Sequence, residues 1–122
     1  MAKSPAIPKA LKDATRGLLF PSETDAAVEA FAWPAGPIDA AAVRTAAGID
    51  AKAAVQEQSL GDFFRGVPAA ERGRYFDLLV ALAEYAGGAR VFKFGGPRFA
   101  VFVVGTAADG RRVGVKTEVV ET

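Results

Sequence analysis

The sequence predicts an α+β domain organised around a largely antiparallel sheet, and three observations carry that prediction. Positions 99–104 are apolar throughout, with β-branched or aromatic residues everywhere but Ala100; such a run reads as a strand covered on both faces. Positions 90–94, 98–105 and 111–119 form a block of three strand-like runs. The helical patterns come earlier in the chain, and helices segregated from a block of antiparallel strands define the class.

Taken in order, 9–19 places Leu11, Ala14, Leu18 and Leu19 near helical spacing, with Lys9, Lys12, Asp13 and Arg16 outward. Pro21 stops this helix, and Ser22, Glu23, Thr24 and Asp25 complete a polar turn. Residues 27–33 alternate loosely as a strand, broken by Pro34-Ala35-Gly36-Pro37. Asp39 suits the N-cap of a helix over 40–47 that Gly48 closes. Residues 53–58 read as a short edge strand and 59–64 as one tight helical turn. After Pro68 a longer helix begins, with Tyr75, Phe76, Leu79, Leu82, Ala83 and Ala86 as the stripe that covers the sheet. Gly87-Gly88 ends it. Gly95-Gly96-Pro97 joins the first two strands of the final block, and Ala107-Ala108-Asp109-Gly110 makes the second connection a hairpin, since Asp-Gly supplies the φ > 0 positions such turns need. In the last strand Val113, Val115, Thr117 and Val119 point one way, while Arg112, Lys116 and Glu118 point the other.

Composition narrows the function. A chain of 122 residues is expected to form a single domain, 1–122, that buries about two-thirds of its unfolded surface. There is no cysteine and no histidine, which removes disulfides, thiolate chemistry, the commonest general base and the commonest zinc ligand. The net charge of +1 argues neither for bulk affinity to nucleic acid nor for an acidic surface imitating it. The opening residues lack the apolar core of a signal peptide, so a soluble, cytoplasmic protein is expected. No phosphate loop, dinucleotide fingerprint or nucleophile elbow occurs. The protein is therefore expected not to be an enzyme.

Two constellations could still carry function. Arg90, Lys93 and Arg98 interleave with Phe92, Phe94 and Phe99, a pattern that could stack single-stranded nucleic acid. Strand alternation puts Arg90, Phe92 and Phe94 on one face and Lys93 on the other, which reads more simply as core phenylalanines and a solvated lysine. Asp13, Glu23 and Asp25 near the first helix, and Glu118 and Glu121 near the C-terminus, could supply paired carboxylates or simply a solvated face.

Gly17-Leu18-Leu19-Phe20-Pro21-Ser22-Glu23, followed by Val28-Glu29-Ala30-Phe31-Ala32-Trp33, resembles the N-terminal part of the nuclease A inhibitor family. So does the ending, Lys116-Thr117-Glu118-Val119-Val120-Glu121-Thr122. Asp62-Phe63-Phe64 and Val101-Phe102-Val103-Val104-Gly105 match in type and order between them. The resemblance implies a three-layer α/β/α sandwich, similar to the pathogenesis-related-protein fold. It also implies a bacterial protein, a monomer when free, that blocks a sugar-nonspecific, Mg²⁺-dependent endonuclease by occupying its active site. On this reading the Thr122 hydroxyl binds the nuclease's Mg²⁺ and Glu23 reaches in beside it, with Ser22, Thr24 and Glu121 as flanking contacts. The chain needs no cofactor of its own, and neither nucleic acid nor membrane is its partner.

One departure from the family is visible. The family carries an acidic, tryptophan-containing insert between its Phe-Phe turn and the long helix. Here 65–72 is short and has no tryptophan, and Arg65, Arg72 and Arg74 make the region basic. Loss of an aromatic anchor and its acids changes what a partner surface must offer. Two rival functions follow from the residues: an interaction module of the same fold with a non-nuclease partner, and a weak single-stranded nucleic-acid binder using Arg90, Lys93 and Arg98.

Overall fold

The apolar run lies where its composition demands. The computed structural model describes residues 7–20, 26–65, 67 and 72–120. In chain order these form α1 (Lys9–Thr15), β1 (Leu19–Phe20), β2 (Ala26–Ala27), β3 (Glu29–Trp33), α2 (Ala40–Ala47), β4 (Val55–Ser59), α3 (Leu60–Arg65), α4 (Arg72–Tyr85), β5 (Gly87–Gly95), β6 (Arg98–Thr106) and β7 (Arg112–Val120). A five-stranded antiparallel sheet runs in the order β3-β7-β6-β5-β4, so β6 is its middle strand. Val101, Phe102, Val103 and Val104 are all buried. β1 and β2 make a separate two-stranded ribbon. The class is mixed, an antiparallel sheet with helices packed on it.

Each face of the sheet carries its own core. Val91, Val101, Val103, Val113, Val115 and Val119 join side chains from α1, α3 and α4 in the larger cluster. Phe31, Phe92, Phe94, Phe102 and Val104 join Val43 of α2 in the smaller one. Alternate residues of β6 divide between the two, as the pleat requires. Asp39 caps α2 as expected, its carboxylate accepting from the Ala42 N–H at 2.8 Å, and Gly48 at φ +70° closes it. Residues 55–59 form the edge strand and Ser59 caps α3, accepting from the Asp62 N–H. No helix among the described residues is long and apolar enough to cross a membrane.

Four local expectations need correction. The first helix stops at Thr15, four residues short, because Gly17 at φ +68° turns the chain and lets Leu18 enter the core from extended backbone. The 27–33 strand is split: Val28 leaves the sheet, its N–H bonded to the Leu18 carbonyl at 3.0 Å. The buried stripe of α4 is Tyr75, Leu78, Ala81 and Leu82, with Phe76 and Ala83 outward. This helix is apolar nearly all round, so its spacing fits two phases and packing selects between them. Lys93 is buried rather than solvated, 6% exposed, with Nζ 4.6 Å from the centre of the Phe99 ring. On the face that α3 and α4 cover, its ammonium group lies over an aromatic ring rather than in water.

Candidate functional site

The described residue that precedes the polar stretch 21–25 is held from below. Phe20, the residue before it, is buried with its ring stacked on Phe63 (4.8 Å, 11° between planes) and edge-on to Tyr75. Tyr75 also donates its hydroxyl to the Leu19 carbonyl at 2.7 Å, and Arg74 of α4 reaches the Arg16 carbonyl at 2.7 Å. Two of the short sequence matches, Leu18-Leu19-Phe20 and Asp62-Phe63-Phe64, are thus one packing unit. On the far side of the turn Ala26 pairs with Phe20 and Ala27 with Leu19. The described β1–β2 pair that borders positions 21–25 is therefore packed against α3 and α4.

The same hairpin touches the last strand. Thr117 Oγ1 donates to the Ala27 carbonyl at 3.0 Å. β3 runs antiparallel to β7, with Glu29 opposite Lys116. Walking backward from Glu29 to Ala26 therefore moves toward the Val120 end of β7. Thr117 lies three residues before Val120, roughly 10 Å of strand. β7 is held there by β6, which places Val119 opposite Phe99 and Val120 opposite Arg98. The root of the turn and the root of the C-terminal residues thus share one end of the sheet.

A shallow groove opens at this end, floored by Ala26, Ala27, Ala100 and Phe102 and bordered by Glu29, Lys116 and Glu118. Its charges come in exposed pairs: Arg98 with Glu118 at 2.7 Å and Lys116 with Glu29 at 4.0 Å. Pairs this exposed contribute at most about 1 kcal/mol each and are open to exchange with a partner.

Glu23, Ser22, Thr24, Glu121 and Thr122 all lie outside the described residues, as does Asp25. The structure describes their anchors on both sides. Of the other expected carboxylates, Asp13 pairs with Lys9 and Arg16, and Glu118 with Arg98. Among the described residues no group of acidic side chains could hold a metal ion. The anchoring role of Thr117 was not foreseen; its signal was a polar residue at an inward position between Val115 and Val119.

The basic–aromatic strip does not assemble. Arg90 bonds to the Glu57 carboxylate and the Ile38 carbonyl, Lys93 is buried on the opposite face, and Arg98 pairs with Glu118. Phe92 and Phe94 are core, 0% and 2% exposed, and offer no ring to a base.

No curated protein matches the chain in sequence. A family model described as "Nuclease A inhibitor-like protein" matches residues 5–122, which takes in both the turn and the C-terminal residues.

Proposed function

The chain belongs to the nuclease A inhibitor-like protein family, and from that premise we propose that it is a non-catalytic inhibitor of a sugar-nonspecific, Mg²⁺-dependent endonuclease. Glu23 and Thr122 enter the partner's active site. The Thr122 hydroxyl replaces a water on the nuclease's Mg²⁺, which prefers oxygen ligands and keeps exchangeable waters. The Glu23 carboxylate stands in for the charge of the scissile phosphate. Neither group offers a bond to cleave, so the metal is occupied without turnover. Ser22, Thr24 and Glu121 flank the two probes.

The observation that carries this reading is the contact between the turn's hairpin and β7 through Thr117 and Ala27. Two probes can share one metal site only if they spring from neighbouring roots. Ala26 and Val120 are such roots, and the groove with its exchangeable ion pairs adjoins them. The architecture that the reading assumes is the α/β/α sandwich similar to the pathogenesis-related-protein fold; a core on each face of the sheet is consistent with it. The basic 65–72 region, where the family carries acids and a tryptophan, implies that the target nuclease differs at that contact.

The test is inhibition of a panel of sugar-nonspecific nucleases, with binding measured with and without Mg²⁺. Glu23→Ala and deletion of Thr122 are each expected to weaken inhibition about 10- to 100-fold, the range of a central interface residue. Removing Mg²⁺ is expected to weaken binding of the wild type and to leave the Thr122-deleted chain nearly unaffected. If both variants inhibit at wild-type strength, the assignment of the probes is wrong.

A further inference from the structure

Thr117 interrupts a row of valines. Val113, Val115 and Val119 of β7 are buried in the larger cluster, and alternation puts Thr117 on the same face, between the last two. Valine and threonine suit a strand alike, so strand formation does not account for the hydroxyl. Its contact does. Oγ1 donates to the Ala27 carbonyl at 3.0 Å, with the Ala26 carbonyl 3.5 Å away.

The ribbon of β1 and β2 is held in several ways that do not involve the end of β7. Phe20 on Phe63, and the Tyr75 hydroxyl on the Leu19 carbonyl, fix β1 to the helices. The Val28 N–H closes the ribbon on the Leu18 carbonyl, and the chain then joins the sheet at Glu29, opposite Lys116. None of these contacts sets β2 against β7 beyond Lys116. The Thr117 hydroxyl does.

We propose that Thr117 is a positioning residue of the inhibitory site. Through the Ala27 carbonyl it aligns the β1–β2 pair, which brackets Glu23 in sequence, with the strand that leads in sequence to Thr122. The inference rests on the inhibitor reading and deepens it. The bond to Ala27 is exposed, so water takes over the carbonyl when the hydroxyl is lost, and the fold keeps its stability. Alignment has no such substitute. Two groups that must reach one metal site tolerate little displacement, since about 1 Å already costs heavily.

Two substitutions separate alignment from stability. Thr117→Val keeps the shape and the strand preference without the donor, whereas Thr117→Ser keeps the donor without the methyl group. Thr117→Val is expected to unfold at or above the wild-type urea midpoint and yet to inhibit about tenfold more weakly. Thr117→Ser is expected to unfold slightly earlier and yet to inhibit within about twofold of the wild type, because the donor remains. A second measurement needs no nuclease. The chain has no cysteine, so spin labels on Glu23→Cys and Thr122→Cys report the spacing of those two positions. Their distance distribution is expected to be single in the labelled parent and with Thr117→Ser, and to broaden or shift with Thr117→Val. A Thr117→Val chain that inhibits like the wild type, or keeps the parent distribution, overturns the proposal. A parent distribution that is already broad does so too, as does a Thr117→Ser chain as weak as Thr117→Val, or inhibition lost only in step with stability. If the wild type inhibits no nuclease the inhibitor reading fails, and the label distances still decide whether Thr117 sets the spacing.

Discussion

At Gly114, β7 passes between Phe31 of β3 and Val104 of β6, and a Cβ added there would run into the carbonyl oxygen of Val103. The strands can approach only because no side chain stands between them. Gly114→Ala must push β6 and β7 apart at the middle of the sheet, and the expected loss is about 2–3 kcal/mol, as for overpacked cores. Urea denaturation followed by circular dichroism would measure it; a loss below about 0.5 kcal/mol would mean the sheet relaxes freely. Lys93 teaches a different lesson at this scale. Its alternation with Phe92 and Phe94 was legible, and so was the face it takes, but exposure was inferred from its charge. Periodicity tells which way a side chain points; whether a helix covers that side is a tertiary fact.

Among the elements, α2 was readable to the residue because its ends are chemical. Asp39 and Gly48 satisfy backbone groups that any helix leaves open, and both act as expected. Asp39→Ala is expected to cost about 1 kcal/mol, the usual value of a lost N-cap, seen as a lower denaturation midpoint. The hairpin between β6 and β7 is equally local: Gly110 takes φ +90° and its N–H bonds to the Ala107 carbonyl at 2.9 Å. There the Arg111 backbone N–H chiefly holds the Asp109 carboxyl below its ordinary pKa; loss of solvent opposes it, and the Arg111 guanidinium adds to the lowering. A depressed carboxylate stabilises the fold above its unfolded pKa and loses that contribution as pH falls through the folded value, here below about pH 4. NMR titration should show Asp109 protonating below the ordinary aspartate range, and Asp109→Asn should flatten that part of the acid-stability curve. The phase of α4 was not legible for the opposite reason: Phe76 and Tyr75 are both apolar enough to be core, and only α1 and the sheet decide which turns inward.

For the molecule as a whole, the antiparallel block, the central position of 98–106 and the segregation of helices could all be read from patterning. What patterning could not supply was the meeting of distant pieces. Phe20 stacks on Phe63, Thr117 bonds to Ala27, and the β1–β2 pair meets the far end of β7 at one end of the sheet. Stability and inhibition are accordingly separable at this scale. As changes of polar residues, deletion of Thr122 and Glu23→Ala are both expected to unfold within about 0.5 kcal/mol of the wild type, the range for substitutions away from packed features. A larger loss would show that the probes also serve the fold.

β7 carries one further implication. It lies inside the sheet, bordered by β3 and β2 on one side and by β6 along its whole length on the other. Its last described residue, Val120, is still paired, opposite Arg98 of β6. An inhibitor that engaged its target through a long arm would have to freeze every link of it. Under the proposed inhibition β7 needs no such ordering as far as Val120, because its pairing with β6 runs to that residue.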